Sequence, residues 1–290
     1  MTSSIMTIES LKGGYGGKPV LQGVDLTIPK GEIVAVIGRN GVGKTTLLKT
    51  LGGILTPISG DVMLGGKRMG GLTDRERARF ASLLLTDPGL PPFLLGEELV
   101  SLGRTPHTAW FSSDEESDQM AVSSAMDRLH CTHLAHRRLG ALSDGERQRL
   151  CLARVVAQDA PLLLLDEPTA HLDLPAKVEV LLTLRDLART QGKAILASVH
   201  DVDLAFGLAD RCLLLSPNAP AFIGTPEQAA GVPLHAAFPG WPDFWRRWRE
   251  LAGAAVLVTL GSALMFPRTF IYFGVLHHLA LMLIVARLML

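Results

Sequence analysis

Residues Gly38 to Thr45, GRNGVGKT, fit the pattern G-x-x-x-x-G-K-[ST] and follow directly on an apolar run, IVAVI (Ile33 to Ile37). That pairing restricts the fold more than any other stretch of the chain. Glycines at this spacing let successive backbone N–H groups turn inward around phosphate oxygens, and a helix opening near Thr45 adds its positive end. Gly38, Asn40, Gly41 and Gly43 belong to the turn, and Thr45 and Thr46 start the helix. Lys44 is placed to reach the β- and γ-phosphates of a nucleotide, and the Thr45 hydroxyl suits Mg²⁺. A chance glycine-rich turn would explain the glycines but not the strand before them.

Two further apolar runs, Leu162 to Leu165 (LLLL) and Ala194 to Val199 (AILASV), have the length of strands buried on both faces of a parallel sheet. Helical stretches follow each run, which is the alternation of a doubly wound α/β domain. Residues from about 90 to 158 carry helical patterning with few strand signals, as a helical subdomain would. Thr225-Pro226-Glu227 reads as an N-cap, a first-turn proline and a first-turn acid opening a last short helix.

Asp166 and Glu167 follow the LLLL run, at the carboxyl edge of the sheet, where open α/β sheets bind their ligands. Asp166 there can hold Mg²⁺ through water, and Glu167 can act as general base on an attacking water. A strand that simply ends in solvated acids is the competing reading, and the P-loop beside it makes that the minority one. The AILASV run ends at His200, at the same edge, where it could bond a γ-phosphate; taken alone, a single histidine reads more readily as structural.

Lysine plus arginine equal aspartate plus glutamate, 28 each, so no broad basic surface for nucleic acid is expected. Cys131, Cys151 and Cys212 are far apart and form no CxxC pair, which favours buried thiols in a reducing compartment over metal or disulfide sites. The opening residues, MTSSIMTIESLKGG, have no basic stretch followed by an apolar run, so no secretory signal is expected.

Leu142 to Arg149, LSDGERQR, supplies the deciding motif, 99 residues after Lys44 (to Ser143) and 23 before Asp166. Ser143 and Glu146 form S-x-x-E, a capping box, and the helix it opens with Gly145 nearby is a second phosphate-binding surface. A capping box alone would be the plain reading without a P-loop in the chain. With P-loop, this motif, the Asp-Glu pair and His200 in that order, residues 5 to about 231 resemble the ATP-binding cassettes of ABC transporters. The resemblance implies an α/β P-loop fold with a mainly parallel doubly wound sheet, an N-terminal antiparallel β part and a helical subdomain. It implies ATP and Mg²⁺ as ligands, and an ATPase coupled to transport. Tyr15 resembles the aromatic that stacks on adenine, though a strand-surface tyrosine remains open. Asp173 resembles the loop aspartate coupling two ATP sites, and His200 the switch histidine. A second copy of the chain would pair head to tail, Ser143 and Gly145 of one completing the site of Lys44 and Glu167 in the other. Further implied partners are transmembrane permease subunits and a periplasmic or extracellular substrate-binding protein, with the chain at the cytoplasmic face of the bacterial inner membrane.

Two positions depart from the family pattern. Thr86 stands where a glutamine is usual, followed by Asp87, so metal contact there falls to Thr86 or Asp87; Asp144 replaces the first glycine of the signature. Together with LGRTPHTAWFS, they resemble the importer branch that handles iron–siderophore, haem or vitamin B12 cargo. A soluble ABC ATPase acting on DNA ends or ribosomes is the rival class. It would call for a long coiled-coil insertion or a second cassette, and neither is visible.

Mean hydropathy is +0.28, and the excess lies at the far end. After a linker, 232–250, carrying the cluster WPDFWRRWR, residues 251–290 form an apolar tail broken by Pro267-Arg268-Thr269. The stretch from FWRRWR onward resembles part of a bacterial membrane family related to heparan-α-glucosaminide N-acetyltransferases, without the extent of a complete acyltransferase. Leu251 to Phe266 covers 16 residues, about 24 Å as helix against a hydrocarbon core of roughly 30 Å, and extension back to Trp245 would span it. Three readings stay open: a membrane segment, amphipathic helices packed on the cassette, or a fusion junction. The chain is accordingly expected to be peripheral or anchored by this tail.

Overall fold

Two sheets organise residues 4–86, 89–107, 115–199, 206–217 and 219–231, the residues described in this computed structural model. The first is antiparallel, in the order β2-β1-β4-β5, from β1 (Ser4–Tyr15), β2 (Lys18–Pro29), β4 (Ser59–Leu64) and β5 (Lys67–Arg68). The second has the order β10-β9-β3-β8-β7-β6. Its members are β3 (Ile33–Ile37), β6 (Ala81–Leu84), β7 (Leu162–Asp166), β8 (Ala194–Ser198), β9 (Arg211–Ser216) and β10 (Ala219–Gly224). All its pairings are parallel except that of β10, which closes the β9 edge in antiparallel. The mainly parallel sheet and the N-terminal antiparallel part expected from the sequence are both present.

The continuous apolar runs explain the layering. Successive side chains of a strand point to opposite faces, so a strand covered on both sides is apolar throughout. Ile33, Ala35 and Ile37 of β3 enter one core, with Leu163, Leu165, Ile195 and Ala197. Val34 and Val36 enter a second core on the other face, with Leu162, Leu164 and Leu196. Helix α1 (Lys44–Leu51) puts Leu47, Leu48 and Leu51 into that second core, together with Ile8, Leu11 and Leu26 of the antiparallel sheet. The P-loop helix is therefore held between two sheets.

The first core is covered by helices. α3 (Gly96–Ser101), α4 (Glu115–Arg128) and α5 (Asp144–Ala157) pack on one another through Leu99, Val100, Met126 and Leu150. α6 (Leu174–Gln191) contributes Val180, Leu184 and Leu187. α2 (Asp74–Phe80) is a short capped helix leading into β6. The last helix, α7 (Pro226–Gly231), starts as the sequence indicates: the Gln228 N–H donates to Thr225 Oγ1 and the Thr225 N–H to Gln228 Oε1. All three cysteines are free and buried, and burial pushes the Cys131 thiol up to about 12 and the Cys212 thiol up to about 11. Asp87, His200 and the tail from residue 232 lie outside the described residues. Among the described residues, no helix is long and apolar enough to cross a membrane.

Candidate active site at the carboxyl edge of the parallel sheet

β3 ends at Ile37 and the chain turns at once into the glycine-rich loop. Two turn residues, Gly41 and Gly43, have positive φ, 80° and 111°. Gly43 is also crowded: a Cβ there would lie 2.7 Å from Leu21 Cδ2 and 3.1 Å from Val20 Cγ1. Only glycine combines that backbone with that close approach to β2. Asn40 is exposed, while Thr46 faces inward beside Lys44.

Lys44 is 6% exposed, and its ammonium donates to the carbonyls of Gly38 at 2.7 Å and Arg39 at 3.3 Å. Burial lowers its pKa, and the nearby carboxylates of Glu167 and Asp166 act in the opposite direction. A buried cation beside a glycine-rich loop is the electrostatic core of an anion site.

The Asp166 carboxylate, 1% exposed, is held at both oxygens. Thr45 Oγ1 donates to Oδ2 at 2.8 Å, and Ser198 Oγ donates to Oδ1 at 2.7 Å. Strand order makes this meeting: β7 and β8 are adjacent, with Asp166 in register with Ser198, and α1 packs against β7. A hydroxyl and a carboxylate side by side are hard oxygen donors of the kind a divalent cation takes. Among the described residues no group of three or more His, Cys, Asp or Glu is placed to hold a metal ion.

Glu167 follows with φ 51°, a left-handed conformation unusual for a residue with a Cβ. Its N–H donates to Ser198 Oγ at 2.9 Å. From α5, the buried Gln148 donates Nε2 to the carbonyls of Glu167 and Pro168, each at 3.1 Å. Thr86 Oγ1 lies 3.5 Å from the Asp166 carbonyl, against the main chain of the same segment. Neither Ser198 nor Gln148 is among the residues singled out from the sequence. Each does leave a trace there: a polar residue within the apolar β8 run, and a polar residue in the stripe Gln148, Cys151, Leu152, Val155 of α5.

The other predicted residues sit apart from this cluster. Ser143 caps α5, its Oγ accepting from the Glu146 N–H at 3.3 Å while its own N–H donates to Glu146 Oε2 at 2.8 Å. Gly145 lies close to the following loop, a Cβ there falling 3.2 Å from the His171 carbonyl. Asp144, the residue replacing a signature glycine, pairs with Arg147 on its own helix, which settles where its charge goes. Asp173 Oδ1 accepts from the Ala176 N–H at 3.2 Å and caps α6. Tyr15 ends β1 and is 49% exposed.

Residues 21–170, just over half of the chain, match the family model described as ABC transporter. This chain belongs to the ABC transporter family. It binds ATP and hydrolyses it. The achromobactin transport ATP-binding protein of Dickeya dadantii is 37% identical over 223 residues, covering 77% of this chain and 83% of that one. The ferric enterobactin transport ATP-binding protein of Escherichia coli is 36% identical over 236 residues, covering 81% and 87%. Among solved structures, an inward-facing conformation of a metal-chelate type ABC transporter superposes with a TM-score of 0.70 at 30% identity, covering 81% of this chain and 89% of that one. Residues 229–290 match a second family model, the catalytic part of heparan-alpha-glucosaminide N-acetyltransferase, almost wholly outside the described residues.

Proposed function

We propose that this chain powers the import of a metal chelate of the siderophore type, and that Lys44, Thr45, Asp166 and Glu167 carry its ATP chemistry. The observation that supports the residue roles best is the junction of P-loop helix and β7: Thr45 Oγ1 on Asp166 Oδ2, with buried Lys44 beside both acids. Lys44 and the loop N–H groups of Gly38 to Gly43 receive the phosphates of ATP. Thr45 and Asp166 are the residues that would hold Mg²⁺, and its charge would offset that of the phosphate oxygens. Glu167 takes a proton from water as the water oxygen attacks the γ-phosphorus. The bond from that phosphorus to the bridging oxygen breaks, and ADP leaves with the oxygen. Tyr15, exposed at the end of β1, offers its ring to adenine. His200, outside the described residues, is assigned by position alone.

Ser143 and Gly145 act from a second copy of the chain. The N-terminus of α5 is a phosphate-binding surface by its own chemistry, and it stands on a different element from the P-loop, as head-to-tail pairing requires. The dimer works on permease subunits at the cytoplasmic membrane face, fed by a substrate-binding protein. The cargo assignment draws on the names of relatives at 36–37% identity and on the metal-chelate type structure at 30%.

Glu167→Gln tests the chemistry. ATP binding should be kept and steady-state hydrolysis should fall by a factor on the order of 10². A loss smaller than tenfold removes Glu167 from the role of base. Uptake of radiolabelled ferric siderophore by cells with and without the chain, against a labelled amino acid as control, tests the cargo class.

A further inference from the structure

The left-handed backbone of Glu167 is clamped from two directions by side chains of different elements. On the β8 side, Ser198 Oγ accepts the Glu167 N–H at 2.9 Å and is itself committed to Asp166 Oδ1 at 2.7 Å. On the α5 side, Gln148 Nε2 reaches the Glu167 and Pro168 carbonyls, both at 3.1 Å, while the Ala170 N–H also donates to Glu167 O at 3.0 Å. Gln148 is only 6% exposed, in a helix face otherwise made of Cys151, Leu152 and Val155. A methionine or leucine would fill that volume without bringing a polar amide into the core, where such a group is costly unless bonded. The amide is therefore spent on those two carbonyls.

We infer that Gln148 is a positioning residue for hydrolysis, holding the Glu167 peptide so that its carboxylate keeps one direction. The inference rests on the reading of Glu167 as general base. A residue at φ 51° is not at rest in that conformation, and its side-chain direction follows the peptide on either side of it. Gln148 also stands one turn and a half along the helix that Ser143 opens. One rigid element thus carries both the proposed phosphate cap for the partner copy's site and the clamp on this copy's base. Movement of α5 is transmitted to Glu167 through that amide.

The test uses the full chain with three variants: Gln148→Met, Glu167→Gln and the double variant. Gln148→Met keeps length and burial and removes the donors. Expected are a fall in kcat on the order of tenfold, a KM for ATP within about twofold of the parent, and no further loss when it is added to Glu167→Gln, because the group it positions is already gone. A kcat within twofold of the parent overturns the inference, as does an equal additional loss in the Glu167→Gln background. If Glu167→Gln itself keeps turnover, the base assignment fails, and this is seen separately from the behaviour of Gln148→Met. Should Gln148→Met give no cooperative melting transition, Gln148→Asn is read in the same way, since it keeps the amide and shortens its reach.

Discussion

Single residues at this site do their work through backbone geometry as much as through charge. Gly43 shows this most directly. Its φ of 111° lies outside what a residue with a Cβ adopts at ease, and Leu21 and Val20 of β2 close the space a methyl would need. Gly43→Ala is expected to cost roughly 1–3 kcal/mol in strain and to push the loop away from β2. Weakened ATP binding, read by titration calorimetry, should accompany the lower melting temperature. Unchanged affinity would mean the loop tolerates that shift. The glycine spacing made this position legible in the sequence, because phosphate cradles need that residue type at that offset. Ser198 and Gln148 were not legible in the same way. Both are uncharged, and their partners lie 31 and 19 residues distant at Glu167, so their roles depend on which strands and helices become neighbours.

Elements show where one sequence signal stands for two functions. Among the described residues two capping boxes pair a hydroxyl with a glutamate, Thr73 with Glu76 on α2 and Ser143 with Glu146 on α5. In each, the N–H of the capping residue donates to the glutamate and holds that carboxyl below the usual carboxylate range. A depressed carboxyl stabilises the fold above its unfolded pKa, and that contribution is lost as pH falls through the folded value. Acid titration should therefore weaken both helix starts alike. Thr73→Ala and Ser143→Ala should each cost about 1 kcal/mol, a shift of roughly 2–4 °C in melting temperature for a domain of this size. Only Ser143→Ala should also lower ATPase activity, since only α5 is proposed to face a partner's phosphates. Equal activity in the two variants would leave Ser143 a cap and nothing more. The parallel strands were readable from their apolar runs, and β7 and β8 fall within a residue of the runs that announced them. The pairing of those strands was not readable, because a run buried on both faces carries no record of its neighbours.

For the whole molecule, the open question is how the cassette relates to the chain beyond α7. The described side-chain hydrogen bonds of Lys44, Thr45 and Asp166 all lie between Gly38 and Ser198, and the last described helix is the capped α7. A chain ending after Gly240 should therefore fold and bind ATP without the remaining residues. The apolar stretch Leu251 to Phe266, beside the arginine and tryptophan cluster from Trp241 to Arg249, favours insertion with the N-terminal domain held on the cytoplasmic side. His277 and His278 oppose it, since polar side chains are costly at mid-membrane without a partner. If insertion wins, the full chain stays with membranes after an alkaline carbonate wash, and the truncated chain appears in the supernatant with its ATP affinity intact. If packing on the cassette wins, the wash releases the full chain. The truncation then lowers the melting temperature, because an apolar face of the cassette has been uncovered. Loss of ATP binding in a truncated chain that still melts cooperatively would contradict both, and would make the tail part of the ATP site.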